Sequence, residues 1–312
     1  MILAVDEVMQ SQACPFAMAL CRPPGHHAGA SGSAPSNGFW HRPEMGTNGF
    51  CLLNNVAIGA AYCRYHYPDL NIAIIDVDIH HGNGTEDIIA NLNPRIISLP
   101  LPSSWSPVKQ SVYKPWFDVD DSHHVLFASI SLVHDDDFYP GSGTVGDVYD
   151  RSNIIHIPLT QLSVKKVTNK KQLAKLIKTA STEFETKINT ILVPALLRFK
   201  PDVIFISLGA DGHVDDKYHY LATSDYNFFC NTVKTTCQTS KIISVLEGGY
   251  SIAGVDGSAG VDITSLSLSL DQPLTSTSAA SSQTTGQAAH SEDGGLEKVV
   301  MSHLQALLQA SV

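Results

Sequence analysis

Four short apolar runs each break off into a polar, glycine-rich segment, and no other feature of this sequence restricts its fold as much. Residues 16–21 lead into RPPGHH (22–27), 72–75 into DVDIHHGNG (76–84), 203–208 into GADGH (209–213) and 242–246 into EGGY (247–250). Most of these runs lack polar alternation, as do 72–77 read to its end, 125–132 and 154–157. Strands without alternation are buried on both faces, which is the condition inside a parallel sheet. Helical patterns lie between them. The clearest covers 171–199, with Leu173, Leu176, Ile177, Ala180, Phe184, Ile188, Leu192, Leu196 and Phe199 on one stripe and Pro201 as its stop. Another starts near Asn54 and ends before Pro68. Strands alternating with helices specify an α/β fold, a doubly wound and mostly parallel sheet.

Composition narrows the function classes. The 312 residues carry 20 Lys and Arg against 30 Asp and Glu, a net charge of −10. Such a chain is a poor binder of bare phosphate backbone, so no direct nucleic-acid partner is expected. No run of eighteen apolar residues is present, so no spanning helix and no membrane partner are expected. The first ten residues, MILAVDEVMQ, hold two acids and no basic region, unlike a secretory signal. Six scattered cysteines without a C-x-x-C pair read as reduced thiols, which places the protein in nucleus and/or cytoplasm. Residues 30–48 and 100–124 read as loops. Three units follow: a catalytic domain over 1–264, a Ser/Thr-rich and disordered stretch over 265–295, and an amphipathic helix over 296–312 that either docks back or forms a tail.

In open parallel sheets, ligands sit at the carboxyl ends of strands, so the four polar segments can converge on one crevice. Asp76, Asp78 and His80 are spaced by two and share one face of a strand leaving the sheet. Two carboxylates and an imidazole beside an apolar run are costly to bury unpaired. A divalent ion taking two of them plus Asp211 resolves this, in the three-ligand pattern of catalytic zinc. Helix N-termini and water satisfying the cluster is the other reading. His26 and His27 follow the rigid Pro23-Pro24-Gly25 turn, either as a proton relay or as ordinary buried histidines. Tyr250 follows two glycines, as a functional phenol or a packed aromatic. His123-His124 reads as part of a solvated loop. The G-x-G-x-x-G match at 141–146 follows Pro140 rather than a strand, so it lacks the dinucleotide-binding context.

RPPGHHA, GFCLLNNVAI (49–58), DVDIHHGNGTED, FYPGSG (138–143), LGAD and EGGY occur in the order found in zinc-dependent histone deacetylases. Over residues 3–260 the chain resembles that family, and its RPPGHHA and HHGNGT forms are similar to the class II type. The resemblance implies a three-layer α/β/α sandwich around a mostly parallel sheet, of the arginase/deacetylase kind. It implies zinc held by Asp78, His80 and Asp211, with His27 as general base and acid and His26 beside it. Asp76 would hold His26, Asn83 would face His27, and Tyr250 would donate to the oxyanion. Phe50 and Tyr139, with Gly49 and Gly249, would line the acyl-lysine tunnel. A structural potassium ion would lie by Asp76, Asp78, His80, Ser129 and Ile130. The implied reaction is NAD-independent hydrolysis of acetyl-lysine in histones or other proteins, with acetylated protein tails and a corepressor complex as partners and transcription repression as the setting.

The chain departs from the family pattern in three places. Ser131 stands where a histidine is common, the 30–48 and 100–124 connections are longer than usual, and only 21 residues precede Arg22. Members carry sheet-edge structure and an acidic rim loop upstream of that point, so the chain alone is expected to be aggregation-prone and weakly active. Three other functions compete: a small-molecule amide deacetylase of acetylpolyamine or acetoin-utilisation type, an arginase-like ureohydrolase, and an inactive acetyl-lysine-binding scaffold. The ureohydrolase needs more strand-end aspartates than this chain supplies. Retention of Tyr250, both histidines and all three ligands disfavours the scaffold.

Overall fold

The computed structural model describes residues 1–11, 15–32, 49–99, 106, 108–133, 138–144, 152–160, 170–218, 220–251 and 295–308. Six strands form one sheet: β1 (Phe16–Ala19), β2 (Ile72–Asp76), β5 (Val125–Val133), β6 (Ile154–Thr160), β7 (Val203–Leu208) and β8 (Lys241–Leu246). Their spatial order is β1-β8-β7-β2-β5-β6, and every pairing is parallel. β3 (Arg95–Leu99) and β4 (Val108–Val112) form a separate antiparallel pair.

The unalternating strands feed two cores. Ala73 and Ile75 of β2, with Ile204, Ile206 and Leu208 of β7, face one way; Ile72, Ile74, Val203 and Phe205 face the other. The first face is covered by α5 (Lys170–Lys187), α6 (Val193–Phe199), α7 (Thr223–Thr236) and α8 (Gly295–Leu308), through residues such as Phe184, Leu196, Phe229 and Leu307. The second is covered by α1 (Ile2–Gln10), α2 (Asn55–His66) and α3 (Asn83–Ala90), through Val5, Val8, Val56, Ala60 and Ile89. The result is the three-layer α/β/α sandwich. Asn54 caps α2, its Oδ1 accepting from the Ala57 amide at 3.0 Å.

The long helical stripe is interrupted. A π-helical turn, Ile188–Leu192, separates α5 from α6, with the Val193 N–H donating to the Ile188 carbonyl five residues back. Pro194 has no N–H for the Thr190 carbonyl, and its ring crowds that carbonyl, so the preceding turn widens. The 100–124 stretch is not a plain loop: it contains β4 and a short helix, α4 (Asp121–His124). Most of β4 is solvent-facing and carries no apolar period to announce it. The buried Arg64 guanidinium ties this stretch to α2 by donating to Asp121 (2.8 Å) and Asp118 (3.2 Å). His123 is exposed, as expected of a solvated position, whereas His124 is half-buried with Nδ1 3.1 Å from Asn71 Oδ1.

α8 docks on the domain. Leu296 N donates to Ser251 O (3.1 Å), Lys234 Nζ reaches the carbonyls of Ala306 (2.7 Å) and Leu307 (3.1 Å), and His303 Nε2 meets Ser244 Oγ of β8 (2.7 Å). Cys21, Cys51, Cys63, Cys230 and Cys237 are free thiols. Among the described residues no helix is long and apolar enough to cross a membrane. The expectations for 33–48, for most of the 265–295 stretch, for Cys14 and for Val145 and Gly146 lie outside the described residues.

Candidate active site

The chain runs outward from β2 to β5 and β6, then returns to β7 on the opposite side of β2 before reaching β8. The order therefore reverses between β2 and β7, and a crevice opens at the carboxyl ends of those two strands. Asp78 and His80 follow β2, and Asp211 follows β7. Their ligand atoms lie within 4.8 Å of one another and all three residues are buried. His80 Nδ1 is 3.0 Å from Asp78 Oδ1 and 2.9 Å from Asp211 Oδ2. Asp78 is held further by the amides of His80 (2.9 Å) and Gly248 (2.9 Å).

This donor set suits a divalent cation. Both oxygens of Asp211 are buried, and neither receives an aligned hydrogen bond. Burial pushes the Asp211 carboxyl up, and the neighbouring Asp78 charge adds to that. Burial also opposes ionisation of Asp78, but His26 and His80 hold it below its ordinary range. Burial disfavours charge on His80, yet Asp211 and Asp78 overcome it and drive the imidazole well above its ordinary value. The cluster thus demands positive charge. Gly248 admits the two carboxylates: a Cβ there would lie 2.6 Å from Asp211 Oδ2 and 2.7 Å from Asp78 Oδ2.

The histidine pair divides by environment. His26 Nδ1 is 2.9 Å from Asp76 Oδ2; burial opposes its charge, but Asp76 and then Asp78 raise it to about 10. His27 Nδ1 is 2.8 Å from Asn83 Oδ1, a neutral partner. Burial, then the charges of His26 and His80, push His27 well below its ordinary value. The two rings are thus pushed in opposite directions, with ring centroids 4.0 Å apart.

The remaining expected residues surround this centre. Tyr139 packs edge-on against His27, centroids 4.8 Å apart, and Phe138 stacks on His80 at 5.2 Å and 10°. Gly49 has φ +50°, and a Cβ there would sit 2.2 Å from His27 Cδ2, so only glycine lets the backbone lie against that ring. Phe50 next to it is 71% exposed. Tyr250 is 44% exposed, between Arg22 (5.7 Å from the ring centroid) and Lys217 (5.9 Å); burial and then the Asp211 and Asp78 charges raise its phenol far above the ordinary value. Gly249, at φ +134°, lies against Ala210 and Leu296. Ser129 Oγ accepts from the Gly82 amide (3.3 Å), and Ile130 is buried beside it in β5. Ser131 is buried with a hydroxyl that has no hydrogen-bond partner.

Four supporting residues escaped the sequence reading. Glu247 accepts from the amides of Gly25 (2.7 Å) and His26 (3.1 Å) and from Ser207 Oγ (2.9 Å), so it aims the RPPGHH turn. Asp216 accepts from the amides of Tyr250 (2.9 Å) and Ser251 (2.8 Å). The Tyr218 hydroxyl meets His80 Nε2 at 2.9 Å. Cys51 Sγ accepts from the His27 amide at 3.4 Å. Glu247 stands in a recognised strand-end segment, which was a usable signal; the others carry none in isolation.

Fold and site together define a class: a doubly wound α/β protein with a buried carboxylate–imidazole cluster at its switch point and two adjacent histidines beside it. The chain belongs to the histone deacetylase family, whose domain model matches residues 1–265. Over 262 residues it is 34% identical to type-2 histone deacetylase 2 of Dictyostelium discoideum, covering 80% of this chain and 12% of that protein. Among solved structures it is similar to the HD domain of HDA15 (TM-score 0.54, 22% identity, 80% of this chain and 55% of that one). It is likewise similar to acetylpolyamine aminohydrolase from Burkholderia pseudomallei (TM-score 0.53, 25% identity, 79% of this chain and 54% of that one). The chain thus spans only a small part of the curated relative's length and little more than half of each solved chain.

Proposed function

We propose that this chain hydrolyses the acetyl-lysine amide of histones or other proteins as a zinc-dependent deacetylase. The observation that carries the reading is the pairing, at one switch point, of the buried Asp78–His80–Asp211 cluster with two adjacent histidines, His26 on Asp76 and His27 on Asn83. Zinc held by those three residues supplies Lewis acidity at the amide carbonyl and acidifies water there. His27, its Nδ1–H donating to Asn83 Oδ1, uses Nε2 to take the proton of attacking water and return one to the departing lysine amine. His26, kept charged by Asp76, holds positive charge beside the developing oxyanion. Tyr250 donates to that oxyanion from the rim. Phe50, Tyr139, Gly49 and Gly249 line the path of the lysine methylenes and keep it dry. Potassium near Asp76, Asp78, His80, Ser129 and Ile130 is the further ion of this reading. We assign the catalytic unit to 1–264, with 265–295 as the tether of α8, and place its partners, acetylated tails and a corepressor complex, in nucleus and/or cytoplasm.

The likeness to an acetylpolyamine aminohydrolase, with a net charge of −10 that attracts polycations, favours a second reading: a small cationic amide as substrate. Turnover of acetyl-lysine peptides is to be compared with that of acetylpolyamines, each with chelator and then with zinc restored. Peptide turnover that chelation abolishes and zinc restores is the expected result. Turnover of acetylpolyamines alone selects the second reading, and chelator-resistant turnover removes both.

A further inference from the structure

Next to the proposed zinc ligands, but on a different pair of strands, three more metal-ligating side chains converge. His81 follows His80, Glu86 lies in the first turn of α3, and His156 comes from β6. Their ligand atoms fall within 4.8 Å of one another. His81 and Glu86 are 2% and 3% exposed, and the His156 side chain is 8% exposed. Nε2 of both rings lies 2.7 Å from a single oxygen, Glu86 Oε2.

The outer nitrogens decide what the inner ones are. His156 Nδ1 is 3.0 Å from the Thr144 carbonyl oxygen, which only accepts, so Nδ1 carries a hydrogen. Its Nε2 hydrogen-bonds Glu86 Oε2 at 2.7 Å, a bond that an ion seated between the two atoms would replace. His81 Nδ1 is 2.8 Å from Ser142 Oγ. Its Nε2 is buried with no aligned hydrogen-bond partner, despite its closeness to Glu86. Metal-ligating histidines characteristically commit their second nitrogen to an oxygen in this way. Two imidazole nitrogens and a carboxylate are a zinc set of the His₂Glu type, and the nitrogen donors select against calcium and magnesium.

The oxygen partners of those outer nitrogens share one loop, residues 138–144. Ser142 and Thr144 grip the two rings, and Gly143 lies so close that a Cβ would be 2.8 Å from His81 Cγ. The same loop carries Phe138 on His80 and Tyr139 on His27. We propose that His81, Glu86 and His156 form a second divalent-metal site of the zinc class, which pins the 138–144 loop, and with it Tyr139, against the active site.

This site shares no ligand with the first, so the two stand or fall separately. The test is metal content of the full chain, loaded with zinc and dialysed, together with zinc anomalous diffraction. Two zinc ions per chain are expected, with one anomalous peak between His81, Glu86 and His156. The Asp78→Asn/Asp211→Asn protein should keep that ion, and Glu86→Gln should lose it while keeping the other. A folded Asp78→Asn/Asp211→Asn protein that retains no zinc overturns the proposal. Should that variant not fold, wild-type crystals grown with zinc and lacking a peak at the His81 cluster overturn it equally. A wild-type peak at His81–Glu86–His156 alone supports this site and removes the other.

Discussion

His26 and His27 are adjacent in sequence, yet their pKa values are pushed apart: the Asp76 carboxylate raises His26 against its burial, while burial and the neighbouring His26 and His80 charges lower His27, whose partner Asn83 is neutral. That contrast is testable at a single atom. Asn83→Asp puts a charge on His27 Nδ1, and an opposite charge at such range raises a pKa by about 1–3. The acid limb of the kcat/KM profile should therefore move up by about one to three pH units, read from a pH–rate profile. For Tyr250→Phe, loss of one oxyanion donor should lower kcat by about 10²–10³ with little change in substrate affinity. Unchanged turnover would leave the phenol as packing alone. Gly49→Ala has no room beside His27 and should depress kcat, measured in the same assay, while leaving the circular dichroism intact. At this scale Asp78, His80, Asp211, His26 and His27, which the structure brings together, were legible as polar types at strand ends. Asp216 and Tyr218 were not, because a hydrogen-bond partner distant in sequence leaves no local pattern.

Among the elements, α8 depends most on pH. Its His303 is buried against Ser244, and burial lowers its pKa from 6.5 to about 4. The folded state therefore binds this proton less readily than the unfolded chain. The stability from keeping His303 neutral is complete above about pH 6.5 and is lost as pH falls through about 4. The loss approaches about 3 kcal/mol at the acid end. Protection of the α8 amides, taken relative to intrinsic exchange at each pH, should fall between pH 7 and 5, and His303→Leu should flatten that dependence. The amphipathic pattern of this helix was plain in sequence, but a docked helix and a free tail share that pattern. Only the Ser244, Ser251 and Lys234 partners separate them. Pro194 was visible too, yet its effect as a π-turn rather than a break depends on flanking residues already packed in the core. β4 went unread because an exposed polar strand lacks apolar periodicity.

Across the whole molecule, the switch point gathers residues from β2, β7 and β8 and from the turn after β1, so an ion held there links segments that otherwise meet only through the sheet. A ligand bound only by the folded state at about a thousand times its Kd contributes about 4 kcal/mol. For a chain of this size, that corresponds to a Tm shift of roughly 6 °C. Zinc added back to chelated protein should raise Tm by about that much, followed by calorimetry, and Asp211→Asn should remove a large share of the gain. A Tm indifferent to zinc contradicts a metal-held site. The sequence alone determined the layer architecture and the ends of the strands that carry the chemistry, because burial on both faces leaves unbroken apolar runs and function interrupts them. Tertiary structure alone decided that His26 meets Asp76 and His27 meets Asn83, that α8 is docked, and that His81 and His156 meet on Glu86. Those outcomes depend on which distant groups become neighbours once the sheet is assembled, and residue order does not encode that locally.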